Sequence, residues 1–325
     1  MKKKNLFYYL MAITMMAMMS VNLTSCGSDD DGESGGSSAP FATPKYESDA
    51  AKYVISESGA SYQSIELTAS GEYIIVPSST VYSSSTIKNG FSAFLQKNFV
   101  TRAGSSSQII YGKFTKIADG EYQLEGFGKI KIEGNGGTAC SLTITPDGGS
   151  TYTLTAAKQN VTTDSSMTNA LCRSWLFDRM RLQLNYNGKT VDKTVNRDNL
   201  YELFKALYET FPEMSDGEPL PSEEEFNKYA EEYSSSFNWP SKVVFTKSGT
   251  YLVSYTSNRL AVSTWVWEDE GSGILRYSWN YEDMYSNGNS GTVNITFSDS
   301  NLVMTEKSAI KGMDITMTYY MNELR

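Results

Sequence analysis

Histidine is absent from all 325 residues of the chain. Its absence excludes catalysis by Ser-His-Asp or Cys-His groups and the usual zinc ligand sets. It also removes the side chain whose ordinary pKa suits proton transfer at neutral pH. Because no other catalytic motif stands out, the sequence predicts a protein that is not an enzyme and that uses no cofactor or metal.

Basic residues are in the minority. The chain holds 28 Lys and Arg against 37 Asp and Glu, and three of the lysines lie in the first 25 residues, which contain no acid. The remaining 300 residues therefore carry a net charge of −12. Because an acidic surface repels nucleic acid and anionic lipid headgroups, we expect no nucleic-acid partner and no membrane contact through a basic patch.

The first 25 residues have the layout of a secretory signal peptide. Lys2 to Lys4 precede an apolar run from Leu6 to Met19, and Leu23-Thr24-Ser25-Cys26 follows this run. A charged start, a short apolar core and a small-residue cleavage site are typical of a cleaved signal rather than of a membrane span. We therefore predict that residues 1–25 are removed on export.

The segment from Leu23 to Cys26 resembles the lipobox of bacterial lipoproteins. This resemblance implies that Cys26 becomes the first residue of the mature chain and carries acyl chains such as palmitate. Gly27-Ser28-Asp29-Asp30-Asp31 is similar to the acidic export tag of Bacteroidota lipoproteins. Together the two motifs imply an outer-membrane protein that is exposed at the cell surface and is held by its lipid, since several acyl chains anchor stably.

Only two cysteines remain beyond Cys26, at Cys140 and Cys172. Disulfides persist in the oxidising compartment to which an exported protein would go. Free cysteine, however, also packs as a small buried apolar residue. The sequence does not show whether the two Cβ atoms approach each other, so a disulfide and two buried thiols both stay open.

Beyond the signal, the sequence predicts a tether and two β-rich modules. Residues 26–43 are rich in Gly, Ser, Asp and Ala and have little to bury, which is typical of a flexible linker. Residues 44–160 alternate short strand-like segments with Gly-containing turns such as Asp119-Gly120, which suit hairpins. Phe91, Phe94, Leu95 and Phe99 predict one short helix within residues 86–100.

The second module, residues 167–325, follows a polar break from Val161 to Ser166 and begins with a strand from Trp175 to Tyr186. A two-helix insertion is predicted at about residues 198–236. Its first helix ends at Pro212, and its second opens on a capping box formed by Ser222 and Glu225. Strand-like segments then continue to the end of the chain.

The two modules share a pattern. The string from Ile65 to Ile75 and the string from Val243 to Val253 each place Ser-Gly between two apolar strands. In both modules, strands of similar pattern follow in the same order. Matching order over several strands favours a tandem pair of related β modules over coincidence.

Several strings of the second module resemble the lipocalin-like lipoproteins of Bacteroidota, most strongly over residues 167–325. They are Leu171-Cys172-Arg173-Ser174-Trp175, the segment from Phe245 to Tyr251, Trp265-Val266-Trp267, Leu275-Arg276-Tyr277 and Glu282-Asp283-Met284. The resemblance implies a mainly β fold whose second module is an antiparallel lipocalin-like barrel or half-barrel with a cupped interior. It does not imply a ligand.

Five aromatic residues are the candidate ligand-binding set: Trp265, Trp267, Tyr277, Trp279 and Tyr281. Alternation along a strand places Trp265 and Trp267 on one face, and the other three on one face of the following strand. If the strands pair, the rings line either a pocket for a lipophilic molecule or a glycan, or an ordinary barrel core.

The leading functional hypothesis is a non-catalytic lipoprotein that binds a small amphipathic molecule, a glycan or a protein partner. The acidic turns at Glu268 to Glu270 and at Glu282-Asp283 offer paired carboxylates, and these keep a carboxylate-based hydrolase open as an alternative. A structural or accessory subunit of an outer-membrane complex is a third alternative.

Overall fold

The structure is a computed structural model. It describes residues 41–78, 109–134, 139–159, 164–212, 219–232, 239–256, 260–278, 290–298, 300–310 and 312–324. The signal peptide, Cys26, the acidic tag and most of the tether lie outside these residues. So do the short helix predicted within residues 86–100 and two of the candidate site residues, Trp279 and Tyr281.

Within the described residues, the first module is a closed barrel of eight antiparallel strands in sequence order. The last strand pairs with the first, so that Tyr53 lies opposite Lys158. The strands are β1 (Ala51–Ile55), β2 (Tyr62–Leu67), β3 (Glu72–Pro77), β4 (Ile110–Ala118), β5 (Glu121–Leu124), β6 (Gly128–Glu133), β7 (Ala139–Pro146) and β8 (Tyr152–Lys158).

The second module also closes, because its first strand pairs along one edge with its last. Its described strands are β9 (Ser174–Tyr186), β10 (Lys189–Val195), β11 (Pro240–Phe245), β12 (Thr250–Tyr255), β13 (Leu260–Asp269), β14 (Ile274–Ser278), β15 (Ser290–Ser298), β16 (Asn301–Ile310) and β17 (Met313–Glu323). The other edge of β9 is shared by β11 and β10. The predicted mainly β fold with two antiparallel modules is therefore confirmed, and the second module is a full barrel.

Helices cover both ends of the second barrel. Helix α1 (Ser166–Leu171), which the sequence did not predict, lies between the polar break and β9, and Ser165 caps its first turn. Helix α2 (Leu200–Thr210) and helix α3 (Glu223–Glu232) form the predicted insertion. The capping box is present, because Glu225 N donates to Ser222 Oγ over 3.3 Å and Ser222 N donates to Glu225 Oε2 over 2.9 Å.

Two strands were missed by the sequence patterns. Strand β1 is short, and β10 follows a turn at Asn187-Gly188, where both residues have positive φ. Strand β10 is polar except for Val191 and Val195, whose side chains are buried against the second barrel. With so few apolar positions, alternation gave little signal there.

The two barrels repeat one another in detail. At the β2–β3 turn, Thr68 N donates to Glu72 O, and Gly71 O accepts from Phe114 N. The β11–β12 turn has the same bonds, from Thr246 N to Thr250 O and from Trp265 N to Gly249 O. Gly71 and Gly249 both have φ above +80°. The equal geometry supports the predicted tandem relationship.

The barrels pack against each other through the outer faces of these two equivalent hairpins. Ile74 and Val76 of the first barrel meet Val244, Leu252 and Val262 of the second in one buried apolar cluster. Polar groups surround this cluster and are described below. Each barrel also has its own interior core. Cys140 belongs to the first core and Cys172 to the second, and both are free thiols.

Candidate functional site

Two of the predicted aromatic residues meet inside the second barrel. Trp265 on β13 lies directly opposite Tyr277 on β14. Trp265 is 1% exposed, and its indole Nε1 donates to Thr246 O over 3.2 Å. Its ring packs edge-on against Phe245. Trp265 is therefore a core residue that holds the β11–β12 turn against the barrel.

Trp267 has a different role at the end of the barrel that α1 closes. Its ring is only partly buried, and its Nε1 donates to Thr168 Oγ1 of α1 over 2.9 Å. Thr168 Oγ1 in turn donates to Glu270 Oε1 over 3.1 Å, and Ser165 Oγ also donates to that oxygen. Trp267 and Glu270 thus fasten α1 to the barrel.

Tyr277 belongs to a polar group that the sequence patterns did not single out. Its hydroxyl donates to Glu306 Oε1 over 2.5 Å, and the Tyr319 hydroxyl donates to Glu306 Oε2 over 3.4 Å. The Tyr251 ring lies 6.1 Å from the Tyr277 ring. Glu306 is 7% exposed and is the one buried carboxylate among the described residues of the second barrel. We call Tyr251, Tyr277, Glu306 and Tyr319 the tyrosine–glutamate cluster.

Ser263 lies beside this cluster with an unused hydroxyl. It is directly opposite Tyr251 on the neighbouring strand and is 4% exposed. Its Oγ is buried and has no hydrogen-bond partner among the residues that the structure describes. A buried hydroxyl without a partner costs about 1–3 kcal/mol, so a native structure rarely keeps one without a reason.

The inward-facing residues near Ser263 differ in exposure. Tyr251 packs on the barrel core but stays partly exposed, whereas Leu182, Leu184 and Leu275 of the same core are fully buried. Tyr251 is thus the least enclosed of these four inward-facing residues. Opposite Tyr277 on β15 stands Gly291, which has no side chain to fill the interior.

Burial raises the pKa of the Tyr251 and Tyr319 hydroxyls above their ordinary value, and the nearby Glu306 carboxylate raises both further. These phenols therefore stay protonated at neutral pH and act as hydrogen-bond donors rather than as bases. The cluster combines such donors with one carboxylate acceptor. This arrangement suits recognition of a polar group rather than proton transfer.

The first barrel provides an internal comparison for every member of the cluster. When the two matching turns are aligned, Tyr73 takes the position of Tyr251. The pairing of each strand with the next then gives the equivalent residues on the other strands. The other equivalent pairs, first barrel then second, are Gly112 and Ser263, Leu124 and Tyr277, Ile144 and Glu306, and Leu154 and Tyr319.

The first barrel is packed where the second is polar. Leu124 and Ile144 are fully buried, and Tyr73 is 1% exposed. The Tyr73 ring lies so close to Gly112 that a Cβ on this glycine would be 2.8 Å from Cε1 of the ring. The same barrel architecture therefore forms with apolar residues at these positions, and the polar cluster of the second barrel is not a requirement of the fold.

The predicted acidic turns are only partly described. Glu268 forms a two-point ion pair with Arg276, Asp269 accepts from Ser272, and Glu270 holds α1. All three carboxylates thus have structural partners. Glu282 and Asp283 lie outside the described residues. Within the described ranges, no three Cys, Asp or Glu side chains converge in the way that metal ligands would.

The chain matches no family model, and no curated protein matches it in sequence. Among solved structures it is similar to the vaccine antigen transferrin-binding protein B of Haemophilus parasuis, with 5% identity and a TM-score of 0.21. That match covers 81% of this chain and 54% of the other, so the chain spans about half the length of that protein.

A second similar structure is a protein of unknown function from the DUF3598 family of Nostoc punctiforme. It has 9% identity and a TM-score of 0.17, and the match covers 85% of this chain and 94% of the other. Similarity at these scores carries no argument about function. Separately, none of the helices in the described residues has the length and apolar character needed to cross a bilayer.

Proposed function

We propose that the protein is a non-catalytic, lipid-anchored binding protein whose second barrel holds a small amphipathic molecule at the tyrosine–glutamate cluster. We further propose that it belongs with the lipocalin-like lipoproteins of Bacteroidota that its sequence resembles, and that it is displayed on the outer membrane through Cys26. The observation that carries the binding proposal is the buried Ser263 hydroxyl, which has no partner among the described residues and lies beside the tyrosine–glutamate cluster.

The surroundings of the cluster define the ligand class. Glu306 can accept hydrogen bonds from a ligand hydroxyl or amine, and the Tyr251 and Ser263 hydroxyls can donate to a ligand oxygen. The interior next to the cluster is apolar. Val253, Leu275 and Met304 belong to the core, and each lies two residues along its strand from a member of the cluster. A molecule with one polar end and an apolar body matches both parts of the site.

The internal comparison supplies the test. We would replace Tyr277, Glu306 and Tyr319 together by the residues of the first barrel, as Tyr277→Leu, Glu306→Ile and Tyr319→Leu. Replacing a buried polar group by packed apolar residues is often neutral or stabilising, so this variant is expected to fold. The reporter is N-phenyl-1-naphthylamine, an amphiphile with one N–H donor whose fluorescence increases in an apolar site.

The wild-type protein should bind the reporter saturably, and the triple variant should bind at least about tenfold more weakly, the effect of losing roughly 1.4 kcal/mol of polar contacts. Ser263→Leu should also block binding by placing a larger side chain beside the cluster, while Thr264→Leu, its neighbour on the other face of β13, is the matched control. Equal affinity in the wild type and the triple variant would remove the cluster from the proposed function.

The anchor has its own test. Cys26→Ala should abolish incorporation of labelled palmitate and leave the protein unprocessed or soluble. Replacing Asp29, Asp30 and Asp31 by Ala should keep the lipid but lower protease accessibility on intact cells. Palmitate incorporation into the Cys26→Ala protein would contradict the anchor, and unchanged accessibility would contradict the export role of the acidic residues.

A further inference from the structure

A partly open space lies between the two barrels, apart from the tyrosine–glutamate cluster. It has a volume of about 170 Å³ and is lined by residues of both barrels. We call it the interbarrel cleft. An apolar cavity of about 150 Å³ holds one benzene molecule, so this cleft has room for roughly six non-hydrogen atoms.

Two oppositely charged side chains line the cleft from the first barrel. Lys52 on β1 is 6% exposed, and Glu66, directly opposite it on β2, is 2% exposed. Lys52 Nζ donates to Thr250 Oγ1 over 3.1 Å, and Glu66 Oε1 accepts from Ser248 Oγ. Each charged group is thus held in position by a hydroxyl of the second barrel.

The fold does not require charge at these positions. In the second barrel the residue equivalent to Lys52 is Ser174, and the residue equivalent to Glu66 is Val244, as the matching registers show. Ser174 and Val244 are also fully buried between the barrels. Burying an ionised group costs several kcal/mol before it is compensated, so the charged pair is a feature of this cleft rather than of the barrel fold.

The walls and rim of the cleft complete its polar lining. Thr68, Thr246 and Ser248 contribute hydroxyls, and Lys158 at the end of β8 is exposed at its edge. Lys247 also lines the cleft and forms ion pairs with Glu47 and, over 3.1 Å, with Asp164. Besides this paired lysine, the cleft presents one buried carboxylate, one buried ammonium group and an exposed ammonium group at its edge.

We propose that the interbarrel cleft binds a small zwitterion of the size of a simple amino acid. The ligand ammonium group would face Glu66, and its carboxylate would face Lys52 and Lys158. This site is distinct from the proposed site of the second barrel, because none of the four residues of the tyrosine–glutamate cluster lines the cleft.

Three probes separate the alternatives: L-alanine carries both charges, propionate is alanine without its ammonium group, and ethylammonium is alanine without its carboxylate. Isothermal titration of the wild-type protein should show saturable binding of alanine and much weaker binding of the other two. Glu66→Gln, which keeps a side chain able to bond Ser248, should weaken alanine binding at least about tenfold, because it removes the charge that faces the ligand ammonium group.

Lys158→Met tests the opening without affecting folding, because Lys158 is exposed. It should weaken alanine binding, while Lys113→Met, at an exposed lysine of β4 outside the cleft, should leave it unchanged. Propionate binding as tightly as alanine would overturn the zwitterion in favour of a simple anion. Absence of binding by all three probes would overturn the site and leave a water-filled cleft.

Discussion

Trp265 and Trp267 stand two residues apart on one strand and differ in what surrounds them. Trp265 is enclosed by the second barrel and bonds the β11–β12 turn. Trp267 is partly buried and bonds α1. Burial, rather than the residue type, decides how much each ring contributes to stability.

Trp265→Ala should lower the free energy of unfolding by about 3–5 kcal/mol, because it leaves a cavity in the barrel. Trp267→Ala should cost clearly less. Trp267→Phe, which keeps a ring and removes the bond to Thr168, should cost about 1 kcal/mol. Urea unfolding followed by tyrosine fluorescence and circular dichroism measures all three. A Trp265→Ala protein as stable as the wild type would contradict the core position.

Buried tyrosines make the fold sensitive to alkaline pH. Burial raises the pKa of Tyr53 and of Tyr73 to about 12, against about 10 in an unfolded chain. The folded state therefore holds these protons more tightly. Their contribution to stability is complete below pH 10 and is lost as pH rises from 10 through 12.

We expect the melting temperature to fall over that pH range, together with a rise in tyrosinate absorbance at unfolding. Tyr73→Phe should reduce this pH dependence, although it also removes the bond from the Tyr73 hydroxyl to Glu125 O. A melting temperature that is constant between pH 10 and pH 12 would contradict the raised pKa values.

At the scale of elements, tight turns with glycine at positive φ join the strands. Gly188 and Gly273 have nearly equal φ values of 75° and 69°. They differ in space, since an added Cβ at Gly188 meets nothing within 4 Å, whereas at Gly273 it would lie 2.4 Å from Ile295 O. Gly273 O also accepts from Ile295 N, which fixes the close approach of the two strands.

Gly188→Ala should cost about 1–2 kcal/mol, the cost of the left-handed conformation for a residue with a Cβ. Gly273→Ala should cost more, because the Ile295 backbone must also move. Gly188→Ala is the matched control for conformation alone, and chemical denaturation measures both variants. Equal destabilisation would mean that the β14–β15 contact gives way without cost.

For the whole molecule, the contact between the barrels is both apolar and charged. Glu72 accepts from Lys242 Nζ and from the Tyr111 hydroxyl, each over 2.6 Å, and from Ser174 Oγ. The bonds from Lys242 and Ser174 and the apolar cluster around Leu252 join residues more than 100 positions apart in sequence. Breaking such a buried ion pair leaves a charge without compensation, which is strongly destabilising.

We therefore expect the barrels to stay together without a covalent link. A protease site inserted at residues 160–163 should, after cleavage, yield two fragments that co-elute in size-exclusion chromatography. Leu252→Asp is the variant expected to separate them, and Lys113→Met is the control. Fragments that separate without this substitution would show that the interface does not hold the barrels.

A second prediction for the modules is that residues 44–160 and residues 167–325 fold when they are expressed separately. Each fragment closes its own barrel, but alone it would expose Ile74 and Val76 or Val244 and Leu252 to water. We expect each to show a cooperative melt by circular dichroism and a tendency to associate with the other. Two fragments without cooperative melting would mean that the barrels fold only as a pair.

Short sequence patterns were sufficient to predict much of the secondary structure of this protein. Alternating apolar residues and Gly-containing turns predicted most strands of both barrels, and Ser222 with Glu225 predicted the start of α3. Each of these patterns extends over only a few residues, so it can be recognised within a single segment of the sequence. Strand β10 was missed because its few apolar residues gave too little pattern.

The sequence by itself determined the β-rich class, the tandem order of the modules and the two-helix insertion, since each depends on short-range periodicity and turn residues. Only the tertiary structure decided that Glu306 faces inward among tyrosines, that Ser263 lacks a partner and that Lys52 and Glu66 line a cleft between barrels. The reason is register: which strand pairs with which, and at what offset, depends on contacts between residues far apart in the chain.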